Sequence, residues 1–282
     1  MLSITFLIYF FVFFLGAIFG SFLNVISVEL EPNVFQLKEK KSFWKRINRR
    51  SSCPTCNHVL TPYELVPIFS YLFLRGKCFK CKKRIPLRYL MVEIFSGSLF
   101  IGFFYYLFGI SFSFLNLDFF FNFLFLIPII SSLILIFLFD FKHKIIPNLV
   151  LIPFFLISVV YLFVYGWVDL DFFNLGKMFL GAAFFAFPFW AMWFLSKGRA
   201  MGFADWKLIF ILSFYFKDLL QNLLFVFMSF WIGSLYVILS LFLKKKLKLS
   251  SEIPFGPFII LSFIVVLIFD ISYFSFSEIL NF

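Results

Sequence analysis

Long apolar runs separated by short polar segments dominate this chain. The first run extends from Ile4 to Val28, which is enough helix to cross a hydrocarbon core that takes about 20 residues. After a polar stretch from Glu29 to Arg88, seven further runs follow: Tyr89 to Phe108, Phe119 to Phe139, Ile145 to Tyr165, Leu175 to Leu195, Trp206 to Phe216, Leu223 to Leu243 and Phe258 to Phe276. The pattern predicts an all-α polytopic membrane protein with about eight transmembrane helices.

The sixth run, Trp206 to Phe216, is shorter than the others. Its 11 residues of helix would cover about 16 Å, which is roughly half of the bilayer core. The charges on either side still require two crossings between Lys207 and Lys244. We therefore expect a short helix that gives water access to a site beside it.

Composition and charge agree with a membrane protein. With 63% hydrophobic and 14% charged residues, a soluble globular domain is excluded. If the loop from Glu29 to Arg88 lies in the cytoplasm, 23 of the 25 Lys and Arg residues fall on that side, as the positive-inside rule requires. This orientation predicts that both termini lie outside. It also explains the cation excess without a nucleic-acid partner.

The same pattern predicts three parts: the first transmembrane helix (residues 1–28), a cytoplasmic basic loop (29–88) and a seven-helix membrane core (89–282). The loop has a net charge of +10, which predicts contact with anionic membrane lipid. It also holds two Cys-x-x-Cys pairs, formed by Cys53, Cys56, Cys78 and Cys81. Such pairs are typical of a zinc ribbon, in which four thiolates close the coordination sphere of a structural ion. Two redox-active pairs are the alternative.

Two aspartates, Asp140 and Asp205, lie at the predicted cytoplasmic ends of apolar runs. A carboxylate at membrane depth is costly and is therefore a candidate for function. Two carboxyl groups at the same membrane depth can share one proton, so that the ionised group activates water while the protonated group polarises a peptide carbonyl. The alternative is two solvated carboxylates beside Lys142 and Lys207. The sequence contains neither a His-Glu-x-x-His motif nor a Gly-x-Ser-x-Gly motif.

The first apolar run contains a Gly-xxx-Gly pattern, Gly16 and Gly20, which predicts close packing against another helix. Asn24 follows one turn later. It is a polar residue near the predicted cytoplasmic interface, where its amide could contact the backbone of a substrate.

Several segments together resemble the bacterial type IV prepilin peptidases, which are membrane aspartyl proteases of the GxGD class. The matching segments are residues 20–25, Cys53 to Cys56, Pro67 and 70–72, Arg75 to Cys81, Arg88-Tyr89 with Glu93, Asp140 with Ile146-Pro147-Asn148, Gly202 to Leu208, and Ile253 to Phe258. Their order and spacing extend the resemblance over nearly the whole chain.

The resemblance implies that Asp140 and Asp205 are the catalytic pair, with Gly202, Lys207, Asn24 and Glu93 as supporting motif residues. It implies cleavage of the leader peptide of type IV prepilins or pseudopilins at the cytoplasmic face of a bacterial inner membrane. Members with the cysteine loop also N-methylate the new N-terminus with S-adenosylmethionine. For this second reaction we consider the loop segment with Gly76 and Lys77.

One departure from the family pattern concerns the second aspartate motif, Gly-x-Gly-Asp, which here reads Gly202-Phe203-Ala204-Asp205. If the missing glycine provides a positive φ, Ala204 misplaces Asp205; if it provides only room, the added methyl is a small change. Two other functions remain open. One is a non-catalytic zinc-ribbon membrane scaffold of a pilus or type II secretion assembly. The other is a transporter that uses Asp140 as a proton site.

Overall fold

The computed structural model describes residues 2–29, 50–109, 117–164, 172–199, 201–216, 218–243 and 253–269. These residues form nine α-helices and one 3₁₀ turn, Pro62–Leu65. The helices are α1 (Leu2–Glu29), α2 (Phe69–Phe73), α3 (Arg88–Phe108), α4 (Leu117–His143), α5 (Asn148–Val164), α6 (Phe172–Ser196), α7 (Phe203–Ser213), α8 (Leu219–Phe242) and α9 (Gly256–Phe269). Across those ranges, β-structure is limited to two isolated bridges.

Within the described residues a helix overlaps each of the eight apolar runs, and the predicted all-α membrane fold is confirmed. Among the described residues, five segments are long and apolar enough to cross a membrane: Thr5–Ser27, Arg88–Phe108, Phe121–His143, Gly176–Ser196 and Leu219–Phe242. Helices α5 and α9 are apolar but shorter, and α7 is shorter still. The count of eight crossings therefore stays a prediction, and the end of the last run, residues 270–276, lies outside the described residues.

The short helix predicted around residue 206 is present as α7, with 11 residues. It begins at Phe203, before the apolar run, because Gly202 has an extended backbone and acts as the N-cap. The Asp205 carboxylate then accepts the Gly202 N–H, which satisfies one of the free donors at the start of a helix. Asp205 consequently lies inside the first turn of α7 rather than in the preceding loop.

The chain forms two compact units, Met1–Asn116 and Leu117–Phe282. In the first unit, α1 packs closely against α3, as the Gly-xxx-Gly pattern predicts. A Cβ atom at Gly16 would lie 2.7 Å from the Cβ of Phe100, and one at Gly20 would overlap Ser96. Only glycine permits this approach of the two helices. The predicted division of the chain after residues 28 and 88 remains a prediction.

In the second unit, α9 is the central helix. Its sequence is apolar on all sides, which is typical of a fully buried helix. It packs against α8, α4 and α7, while α6 packs against α7 and α5 packs against α4 and α7. Because α9 contacts both α4 and α7, its first residues lie close to the end of α4.

Candidate active site and cysteine cluster

Asp140 lies in the last turn of α4 and is 4% exposed. The carboxyl end of a helix is an unfavourable position for a negative charge. The Gly256 N–H, at the start of α9, compensates by donating a 2.7 Å hydrogen bond to Oδ2 of Asp140. A Cβ at position 256 would lie 2.7 Å from that same oxygen. Glycine at this position is therefore what allows the carboxylate to reach the backbone donor.

Asp205 is built in a parallel way at the amino end of α7. Its side chain is 8% exposed, and Oδ2 accepts the Gly202 N–H at 3.1 Å. Each aspartate thus has one oxygen held by the N–H of a glycine that begins or precedes a helix. Neither carboxylate forms an ion pair with a cation in the described ranges.

Both aspartates line one cavity of about 840 Å³ in the second unit. Apolar side chains, among them Met192, Phe230 and Phe255, form part of the wall. The cavity therefore combines two buried carboxyl groups with a partly apolar lining. This combination suits acid–base chemistry on a polar bond of a ligand that is otherwise apolar.

Ala204 also lines this cavity, next to Asp205. It is the second residue of α7 and is not among the described non-glycine residues with positive φ. The helical backbone is one that alanine adopts without strain. Of the two interpretations of the departure from Gly-x-Gly-Asp, the structure favours the one in which the residue affects only space.

Two lysines that flank the aspartates in sequence, Lys142 and Lys207, do not neutralise them. The Lys207 Nζ lies 4.0 Å from the centroid of the Phe203 ring, in a cation–π contact on the helix surface. Lys142 is exposed, and neither lysine lines the cavity. Of the motif residues in this unit, the structure thus brings Gly202 to the aspartates and leaves Lys207 away from them.

The four cysteines of the first unit converge on one point. Their sulfur atoms all lie within 4.8 Å of one another, with Cys53 Sγ 3.8 Å from Cys81 Sγ and Cys56 Sγ 4.0 Å from Cys78 Sγ. A tetrahedral zinc ion with Zn–S bonds of about 2.3 Å requires S···S edges of about 3.8 Å. The cluster therefore has the dimensions of a four-thiolate metal site.

The backbone repeats the same turn around each cysteine pair. Asn57 N–H donates to Cys53 O, and Lys82 N–H donates to Cys78 O, with both residues in the left-handed conformation. An antiparallel bridge closes each turn, Ser52 to Val59 and Lys77 to Arg84. In the first turn, the backbone N–H groups of Cys56 and Thr55 lower the pKa of the Cys53 thiol, while burial and the adjacent sulfur atoms leave the pKa of the Cys56 thiol raised.

Gly76, in the first unit, has a left-handed backbone conformation with φ +64° and packs against Tyr71. A Cβ there would lie 2.8 Å from the Tyr71 hydroxyl, the Gly76 N–H donates to Tyr71 O, and the Gly76 carbonyl accepts the Ile85 N–H. Both of its backbone groups are thus already used. Lys77 is exposed. The roles of these two residues in methyl transfer stay predictions.

Two further predicted residues, Asn24 and Glu93, are buried in the first unit. Asn24 is fully buried, and neither polar atom of its amide has a partner in the described residues. Glu93 is 8% exposed and accepts the Ile68 N–H at 2.7 Å. A substrate contact by Asn24 stays a prediction, whereas Glu93 has a clear structural contact.

Sequence reasoning assigned no role at the site to Gly256, which donates to Asp140, or to Lys144 and Arg199, which line the cavity. Gly256 lies within the Ile253 to Phe258 segment that carries the family resemblance, so the signal was present. Lys144 and Arg199 were used only as topological charges. Their placement at the cavity depends on the turns after α4 and α6, which no local pattern predicts.

The fold and the site define an α-helical integral membrane protein with a buried pair of carboxyl groups and a four-cysteine metal-type cluster. Residues 14–107 match the bacterial peptidase A24 N-terminal domain, and residues 127–238 match the type IV leader peptidase family. Similar proteins include one from Bacillus subtilis (strain 168), which is 34% identical over 227 residues, covering 80% of this chain and 84% of that protein. The chain belongs to the type IV leader peptidase family.

Two more distant relatives extend the similarity along the chain. A protein of Pseudomonas aeruginosa is 26% identical over 262 residues, covering 87% of this chain and 84% of its own length. One of Dichelobacter nodosus is 27% identical over 273 residues, covering 89% and 87%. All three relatives are named prepilin leader peptidase/N-methyltransferase. No solved structure matches the chain.

Proposed function

We propose that this protein cleaves the leader peptide of type IV prepilins or pseudopilins, with Asp140 and Asp205 as the catalytic pair. One observation carries the proposal: two buried carboxyl groups, from helices far apart in sequence, line the same cavity. Burying two acids that form no ion pair with a cation among the described residues is costly. Such an arrangement is therefore better explained by catalysis than by stability, and it lies within the type IV leader peptidase match.

In the proposed mechanism the two carboxyl groups share one proton. The ionised aspartate takes a proton from a water molecule while the oxygen of that water attacks the scissile carbonyl carbon. The protonated aspartate donates its proton to the carbonyl oxygen. Collapse of the tetrahedral intermediate breaks the C–N bond, and a proton passes to the departing amine. The N–H groups of Gly256 and Gly202 each hold one carboxyl oxygen, which orients the other for these transfers.

The proposed orientation puts this cavity on the cytoplasmic side of a bacterial inner membrane and both termini outside. It depends on the distribution of Lys and Arg along the chain. Part of that charge, at residues 30–49 and 244–248, lies outside the described residues. On this orientation the basic loop faces anionic lipid headgroups, which are its proposed partner.

The four cysteines would hold a structural zinc ion. A closed four-thiolate sphere has no open position for substrate, so the ion cross-links the two turns of the loop. S-adenosylmethionine, which the family resemblance suggests, would supply the methyl group for the second reaction. The Gly76 N–H already donates to Tyr71 O, so it is not free to hold that cofactor.

The experiment that tests this function is mass spectrometry of a prepilin co-expressed with the full chain. We expect a mature protein that lacks the leader and carries one added methyl group at its N-terminus. A cleaved but unmethylated end would support the peptidase and contradict the methyltransferase. An intact leader would contradict both, and it is the result that the scaffold and transporter alternatives predict.

A second prediction concerns Ala204. Because this residue has a helical backbone, A204G restores the family motif without relieving backbone strain, and its main cost is about 0.5–1 kcal/mol of helix stability. We expect the cleavage rate of the variant, measured in membranes at matched protein levels, to stay within about threefold of the parent. A gain of more than about tenfold, which is about 1.4 kcal/mol, would mean that the methyl obstructs the site.

A further inference from the structure

The segment around α2 exposes more apolar surface than a loop in water would favour. Phe73 is 83% exposed and Leu72 is 58% exposed, and Tyr63 in the preceding 3₁₀ turn is 87% exposed. Large apolar side chains exposed close together along the chain are typical of an interaction site rather than of a solvated surface.

The ring contacts of α2 place it beside the membrane-spanning part of α1. The Phe69 ring stacks on the Phe14 ring, with centroids 5.2 Å apart and planes 2° from parallel. Phe14 is near the middle of the span Thr5–Ser27. Its neighbour Phe13 packs against Gly97, nine residues into α3, or about 13 Å along that helix from Arg88. With α3 entering the membrane at Arg88, a point about 13 Å along it lies well inside a hydrocarbon core of about 30 Å.

The backbone before α2 has the hydrogen bonding that this depth requires. Ile68 has φ +66°, which is rare for a β-branched residue, and its N–H donates to the buried Glu93 carboxylate at 2.7 Å. Glu93 belongs to the span Arg88–Phe108. Irregular backbone within a membrane is tolerated only where its polar groups are satisfied by the protein. Here the carboxyl group of Glu93, on a spanning helix, accepts the Ile68 N–H.

From these contacts we infer that α2 is inserted into the leaflet at which α1 ends and α3 begins, with Leu72 and Phe73 in contact with lipid acyl chains. The charges that follow α2 fit this placement. Arg75, Lys77 and Lys80 are all exposed, directly after the apolar segment, where they can reach lipid headgroups. The loop is thus a membrane-embedded element as well as a carrier of the cysteine cluster, and this inference does not depend on the peptidase function.

Two phenylalanines six residues apart provide a matched test. Phe73 lies on α2, whereas Phe79, which is 62% exposed, lies in the second cysteine turn under the Lys82 ammonium group. Trifluoromethyl-phenylalanine would replace either Phe73 or Phe79 in the full chain. Each labelled protein would be reconstituted, without prepilin, in phosphatidylethanolamine/phosphatidylglycerol nanodiscs. The relaxation rate of each fluorine label would then be measured with dissolved oxygen and with a water-soluble nickel chelate. Oxygen concentrates in hydrocarbon, whereas the chelate stays in water.

We expect the label at position 73 to be relaxed several-fold more by oxygen than the label at 79, and several-fold less by the nickel chelate. Equal nickel relaxation at the two positions would place α2 in water and overturn the inference. Protection of position 73 from both reagents would mean that protein covers it, which also overturns contact with lipid. Prepilin cleavage by the same labelled protein is a separate measurement, so failure of either idea can be recognised independently.

Discussion

D140N and D205N should each lower the rate of prepilin cleavage by about 10²–10⁴-fold, the range that a positioned general acid or base contributes. Asparagine has nearly the same size as aspartate, and its amide oxygen can still accept the Gly256 or Gly202 N–H. It cannot, however, take a proton from water. The loss should therefore appear as activity per folded molecule, measured by quantifying precursor and mature prepilin in membranes at known enzyme levels.

D218N is a suitable control for the same measurement. Asp218 lies in the same unit, at the start of α8, but it is exposed and does not line the cavity. Its variant should cleave at the parental rate. Full conversion of prepilin by both D140N and D205N would exclude the peptidase mechanism proposed for this pair. Loss of activity that simply follows loss of protein would assign the aspartates a structural role.

C53S and C81S should each lower the amount of folded protein before they change the turnover of the molecules that remain. The four sulfur atoms have the separations of a tetrahedral site, so each serine would remove one of its four ligands. Changes in groups that merely support a ligand weaken metal binding about 10–100-fold, and loss of a ligand should cost more. Small metal-bound loops bury too little core to fold without the ion.

The matched control for the cysteine variants is T55A. Thr55 lies between Cys53 and Cys56, is exposed and supports the cluster through its backbone N–H, which alanine retains. Zinc content by elemental analysis and thermal stability of the purified protein should fall in C53S and C81S but not in T55A. A parent protein that contains no zinc, together with unchanged stability of the serine variants, would contradict a structural metal.

The features of this protein that could be predicted from the sequence are those that depend on interactions between residues close together along the chain. The apolar runs predict helices because each run must satisfy its own backbone hydrogen bonds in lipid. The cysteine cluster follows from two local turns of identical form, so spacing alone predicts it. The short α7 was also predictable, although its start was not, because that start depends on the capping contact between Gly202 and Asp205.

The sequence by itself determined the membrane class, the cysteine cluster and the two aspartates as candidates, because hydropathy, ligand spacing and the cost of charge at membrane depth act locally. The tertiary structure alone decided that Asp140 receives its hydrogen bond from Gly256, 116 residues away, and that Lys144 and Arg199 line the same cavity as the aspartates. It also decided that α2 lies against Phe14 of a spanning helix. Those contacts arise from how the helices pack against one another, and side-chain packing between distant segments leaves no periodic signal in the sequence.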